Sequence, residues 1–193
     1  MNTIITEDTE NGENSYDILG KLSNDRIIFI TEYLDDKQAM NIAATLLFLD
    51  SKNDSQKISI YLNLQGGDLR AVFMIYDVIK TIKSPVETIC IGVAKDEGAL
   101  ILAAGTKGMR YSTKSSTICL SHITPYDLNH GDFTEVTALM LETNKDNKIF
   151  MSSLAKCVGK TAAVLTKDCE RKLYLTPAQA KKYGVIDAII GEK

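Results

Sequence analysis

An α/β fold of repeated β-α-β units is what the sequence predicts. Short apolar runs of strand length alternate with stretches of helical periodicity along most of the chain. Two of those strand runs end on glycines, at Gly66-Gly67 and at Gly92, each followed by a helical stretch. Strand–helix–strand crossovers are right-handed, so this order builds a sheet with helices packed on it.

The elements follow in order. Residues 1–18 are polar and rich in Asn, Glu and Gly, and read as a flexible arm. Arg26–Thr31 (RIIFIT) fits a buried strand. Lys37–Asp50 places Met40, Ile42, Ala43, Leu46, Leu47 and Leu49 on one helical face, with Asp35 or Asp36 as the cap. A polar turn at Ser51–Gln56 precedes the strand Ile58–Leu64, and a helix runs from about Asp68 to Lys83. Val86–Ile91 is a strand ending at Gly92, Gly98–Ala104 a helix, and Thr117–Ser121 a strand. Helices are expected at about Asp132–Cys157, Thr161–Arg171 and Thr176–Tyr183, and Val185–Ile190 is expected as a last strand. A helix of about 25 residues from Asp132 spans ~37 Å, more than one small core covers. Its middle, Thr143–Lys148, is polar all round and both ends are apolar, the pattern of a part that projects toward another subunit. Two shorter helices with a turn between them are the alternative.

Composition narrows the function classes. A chain of 193 residues with 45% apolar and 24% charged residues is long enough for one domain with a substantial core. A net charge of -3 argues against general attraction to nucleic acid or an anionic membrane. No apolar run approaches the ~20 residues that span a bilayer. Cys90, Cys119, Cys157 and Cys169 show no CxxC spacing, so neither a zinc site nor a redox motif is expected; Cys90 and Cys119 read as core residues. Four cysteines at this length make no disulfide scaffold, so a reducing compartment is expected. The first residues, MNTIITEDTENGENS, carry no targeting signal, which implies that any such peptide was removed or never present.

Several motifs stand in one order: Gly66-Gly67 at a strand end, Gly92-Val93-Ala94-Lys95-Asp96-Glu97-Gly98-Ala99, and Tyr183-Gly184-Val185-Ile186-Asp187. With Tyr76-Asp77-x-Ile79, Thr88–Gly92 and Leu175-Thr176-Pro177-x-x-Ala180, this set resembles the Clp protease proteolytic subunit family (ClpP) of crotonase-like fold. The resemblance covers nearly the whole chain. It implies one domain over 19–193 behind an axial arm over 1–18, which includes Asp8–Asp17, and a protruding handle over about 123–157. It also implies a heptameric ring, formed with itself or with active ClpP-type subunits, that docks an AAA+ Clp unfoldase. No cofactor or metal, and neither nucleic acid nor membrane, is implied.

The family hydrolyses peptides with a serine nucleophile, a histidine base and an orienting aspartate. Matched to the motifs, those positions fall here on Asp96, Ser121 and Lys172. A carboxylate side chain yields no alkoxide, and Asp96 with Glu97 puts negative charge where an oxyanion would form. Asp96 reads instead as a cap for the following helix. His122 lies one residue past the base position and, on a strand, faces the other way; a bulge in the following loop would return it to the site. His130 reads as a solvated or subunit-contact residue. Lys172 cannot orient an imidazole, and an ion pair between Asp96 and Lys172 across the site is expected. The implied function is therefore a non-catalytic, ClpR-like pseudoprotease subunit. The alternatives are an active serine-type peptidase rebuilt around His122 and another crotonase-superfamily enzyme acting on an acyl-thioester.

Other family features are altered. Gly66-Gly67 and Glu97 read as the remnant of the oxyanion and substrate loop, with the glycines equally explained as turn residues. Tyr61 matches a residue of the family's unfoldase-docking pocket, while Ser59 and Thr81 stand where aromatics are usual, which implies a shallower, more polar pocket. The resemblance to inactive paralogues implies the lumen of a plastid-type organelle (a relict plastid or apicoplast, or a chloroplast stroma) if the chain is nuclear encoded, and the cytoplasm otherwise.

Overall fold

A computed structural model describes residues 4–9, 12–123 and 132–192, with side chains from Asp17 onward. His130 and most of the loop leading to the long helix lie outside the described residues. The chain opens with an antiparallel hairpin, β1 (Ile4–Thr9) and β2 (Gly12–Asp17), with Ile4 opposite Asp17, followed by α1 (Ile18–Asn24). Neither hairpin nor helix was legible, because these strands lack the apolar alternation that marks a half-buried strand.

The body begins with β3 (Ile27–Leu34), α2 (Asp36–Lys52), β4 (Ile58–Gly67), α3 (Leu69–Thr81) and β5 (Val86–Lys95). Asp35 caps α2: its carboxylate accepts from the Gln38 amide at 2.7 Å, and the Gln38 side chain returns to the Asp35 amide. β3, β4 and β5 pair in parallel. Ile28, Ile30, Ile58, Ile60, Leu62, Leu64 and Cys90 point into one core with Leu46, Ile75 and Leu100 from the helices. Beyond β5 come α4 (Glu97–Ala104), β6 (Arg110–Thr113) and β7 (Thr117–Leu120). All of α4 after Glu97 is buried, which explains a sequence apolar on every side.

β5 does not stop at Gly92, as the sequence reading had it. It kinks there and changes partner: Thr88–Cys90 pair with β6, whereas Val93–Lys95 pair with β7. Gly92 has φ +159, and a Cβ on it would stand 2.6 Å from Asn63 Oδ1, so the kink needs glycine.

The chain closes with α5 (Phe133–Val158), α6 (Ala162–Asp168), β8 (Leu173–Leu175), α7 (Pro177–Tyr183) and β9 (Ala188–Ile190). β8 lies antiparallel on β7, and β9 parallel on β6. β6 and β8, with four and three residues, were too short to register as strands in the sequence. The last strand is shorter than expected, because Asp187 leaves the strand path to meet Arg110. The guanidinium, 4% exposed, donates to Asp187 Oδ1 at 2.6 Å and Oδ2 at 2.9 Å, and to Cys157 O at 3.0 Å. This ties β6, the end of α5 and the C-terminal segment together.

α5 is one continuous helix, capped by Asp132 with Glu135 and ended by Gly159 in the left-handed conformation. Burial at both ends was expected. Only the C-terminal end, with Phe150, Met151, Leu154, Ala155 and Val158, is buried, while Phe133, Met140 and Leu141 are exposed.

Candidate functional site

The site forms where β5 turns into α4. Asp96 makes the turn with φ 51 and ψ -118, a conformation that favours glycine and costs other residues about 1–3 kcal/mol. Its amide donates to Cys119 O at 3.0 Å, fixing the turn to β7. In serine hydrolases such a strained strand-to-helix elbow presents the nucleophile at the edge of the sheet.

β-Sheet register brings two more residues to this carboxylate. Leu120 of β7 stands opposite Leu173 of β8, so the next residues along, Ser121 and Lys172, also face each other. Ser121 Oγ donates to Asp96 Oδ1 at 2.7 Å, and Lys172 Nζ to Asp96 Oδ2 at 2.8 Å. The ion pair expected from the sequence is present. The expected cap is not: the Asp96 side chain makes no hydrogen bond to the amides of α4. Two stronger donors on the other side of the turn draw its oxygens away from the helix.

Charge at this cluster sets the state of Lys172. The hydrogen bond with Asp96 pushes the Lys172 ammonium above its usual range, outweighing burial. A lysine that serves as a base needs the reverse, a lowered pKa in an apolar or cationic setting. The Ser121 hydroxyl spends its proton on Asp96 and therefore has no Ser–Lys dyad to join.

His122, next in the chain, points to another part of the fold. Its Nε2 lies 3.1 Å from Thr166 O in α6, and a carbonyl only accepts, so Nε2 carries a proton. Asn147 of α5 donates Nδ2–H to Nδ1 at 2.9 Å while its Oδ1 accepts from the Ile123 amide at 3.1 Å. Both ring nitrogens are thus engaged by α5 and α6. Sequence reasoning missed Asn147, although its place in the polar middle of a long helix was a signal that it faces a partner.

Glu97 opens α4 and is half-buried. Burial, foremost, and the Asp96 charge push its carboxyl up. Gly66 and Gly67 are buried at the end of β4. A Cβ on Gly67 would meet Leu34 Cβ at 2.7 Å and Leu34 O at 2.9 Å, so the glycine is needed for close approach of β3. Tyr33, Gln65, Gly66, Asp96, Glu97, Ser121, His122 and Lys172 enclose a space of about 120 Å³. Ligand pockets usually measure about 300–1,000 Å³. A larger groove, about 690 Å³, runs between α5 and α6.

The remaining predicted residues lie elsewhere. Tyr61 stacks on Phe29 across β3 and β4 with centroids 5.1 Å apart. Ser59, on the same face of β4, is buried and donates to Glu87 Oε2 at 2.7 Å. Thr81 ends α3 and donates to Asp77 O at 2.7 Å. Among the described residues no group of three or more His, Cys, Asp or Glu could hold a metal ion, and no single helix is long and apolar enough to cross a membrane.

A family model described as Clp protease matches residues 10–193, which span the elbow, the long helix and every strand of the main sheet. The mixed α/β fold is the one that the resemblance implied. On this match, the chain belongs to the Clp protease family, a family of serine peptidases.

Proposed function

We propose that this chain is a catalytically inactive, ClpR-like subunit of an ATP-dependent Clp protease ring. One observation carries the reading: a carboxylate occupies the elbow and is held by a serine and a lysine. In this reading Asp96, Ser121 and Lys172 stand at the three positions of a lost triad. His122 is bound to α5 and α6 instead, which argues against a peptidase rebuilt around it. Losing one triad member leaves only ~10³–10⁴-fold acceleration over water.

The role is then structural and regulatory: to complete the wall of the proteolytic chamber and help couple it to the AAA+ unfoldase. Family membership supports a ring, formed with copies of itself or with active ClpP-type subunits. The exposed apolar end of α5 is compatible with a handle that meets another subunit, and the N-terminal hairpin with an axial arm. Ser59, committed to Glu87, supports a more polar docking pocket beside Tyr61, and weaker docking at this subunit. The proposed location is a plastid-type organelle if the chain is nuclear encoded, and the cytoplasm otherwise. No cofactor belongs to this function.

A fluorophosphonate probe for activated serines tests the reading. No serine of the assembled chain should be labelled under conditions that label an active Clp peptidase in the same tube. Labelling that is lost in Ser121→Ala would overturn the proposal.

A further inference from the structure

The turn that ends β4 and opens α3, residues 65–70, is tied on both sides. Toward β3, the Tyr33 hydroxyl donates to Asp68 Oδ1 at 3.1 Å. Tyr33 stands opposite Gly66 in the β3–β4 ladder, so a hydroxyl that reaches Asp68 carries the phenol ring alongside the Gly66-Gly67 step. Toward α5, Arg70 Nη2 donates to both carboxylate oxygens of Asp146, at 2.8 and 2.9 Å. That far anchor is held in turn: Asn147, the next residue of α5, accepts from the Ile123 amide at 3.1 Å. The backbone before Tyr33 is strained. The β3–β4 register shifts between Glu32 and Tyr33, and Glu32 takes φ 69, a left-handed conformation that favours glycine. A bulge of this kind re-aims a side chain. Here it turns Tyr33 onto the wall of the small space beside Asp96, which Gly66 and His122 also line.

We infer that the Tyr33–Asp68 and Arg70–Asp146 ties form a strap that closes the approach to the elbow against an extended peptide, an autoinhibitory contact separate from the lost nucleophile. The inference rests on the reading of Gly66-Gly67 as the remnant of a substrate loop, and its test involves no turnover. An extended peptide docks on a strand through backbone hydrogen bonds and needs room beside that strand for its own side chains. At this strand end a ring lies along the glycines, and an ion pair crosses from α3 to α5. Both ties stand at the surface: the Arg70 side chain is 64% exposed and Tyr33 is 40% exposed. Exposed ties are individually weak, so a competing ligand or high salt opens the strap without unfolding the chain.

Hydrogen exchange and peptide binding, both on the assembled chain, test the strap together. Exchange at the amides of residues 65–70 is read by mass spectrometry. It is expected to speed up in Tyr33→Phe, which keeps the ring and loses the hydroxyl, and in Arg70→Gln, which loses the charge. A fluorescein-labelled apolar hexapeptide is then titrated by anisotropy. It is expected to bind about threefold more tightly to each variant than to the parent, and about tenfold more tightly to the double variant, since weak ties at separate sites add. Raising the salt from about 0.1 M to about 1 M screens the ion pair, and should tighten binding more in the parent than in Arg70→Gln. Exchange that stays at the parent rate in either variant overturns the inference. So does faster exchange with no gain in peptide affinity, the mark of ties that only steady the turn. Labelling of Ser121 in the probe experiment above, with exchange and affinity responding as expected, would instead sink the inactive reading and leave the strap standing.

Discussion

At the scale of single residues, Asp96 and Glu97 are adjacent carboxylates with opposite surroundings. Asp96 has a cation and a hydroxyl on its two oxygens. Glu97 has burial and the Asp96 charge against it, and its carboxyl is pushed up. A carboxyl with a raised folded pKa subtracts stability as pH rises from its unfolded value of about 4.5 through the folded one. Glu97→Gln is therefore expected to be more stable than the parent at pH 8 in urea unfolding, with the gain shrinking toward pH 4. Lys172 behaves in the opposite sense. Its raised pKa adds stability that is full below its unfolded value of about 10.5 and is lost as pH rises through the folded one. Lys172 is half exposed, so solvent screening keeps this contribution small, and Asp96→Asn should flatten stability above pH 10 by well under about 1 kcal/mol. The ion pair was legible in the sequence, because the motif order fixed both positions and opposite charges brought together pair. The failed cap was not, because only the fold shows that stronger donors lie behind the turn.

At the scale of elements, strand register decides which residues meet. The β7–β8 register sets Ser121 against Lys172, and strand alternation turns His122 toward α5 and α6. The alternation was legible from the period of two; the partners Asn147 and Thr166 were not, because both are far away in sequence and on polar stretches. β6 and β8 escaped for the same reason as the hairpin: short or polar strands are specified by their neighbours and not by their own pattern. The close approach of β3 to the end of β4 makes a firm prediction. Gly67→Ala drives a Cβ into the Leu34 backbone, and should destabilise the protein by about 1–3 kcal/mol, read as a lower thermal midpoint. On the proposed reading, Asn147→Ala should give no peptide hydrolysis, because freeing His122 supplies no nucleophile at Asp96. Peptide hydrolysis appearing in that variant would count against this account of the ring.

At the scale of the molecule, the Arg110–Asp187 pair joins the C-terminus to the sheet and to α5. Burial pushes the Asp187 carboxyl up, but the Arg110 hydrogen bonds outweigh it and leave it below its usual value. Stability from that pair is present above pH 3.8 and lost as pH falls through the folded pKa. Asp187→Ala would strand a buried guanidinium and should cost about 3–5 kcal/mol at neutral pH, with a weaker acid dependence of what remains. The α/β class and the order of motifs were readable from hydropathy and glycine placement, whereas the uncovered end of α5 was not, since a sequence does not say which apolar face the chain itself covers. The central claim is that this framework no longer cleaves peptides. The most direct measurement is hydrolysis of a short fluorogenic peptide by the purified, assembled chain, since a short peptide needs no unfoldase. The account predicts no turnover above buffer. Turnover that survives removal of contaminating peptidase and falls on His122→Ala would contradict it.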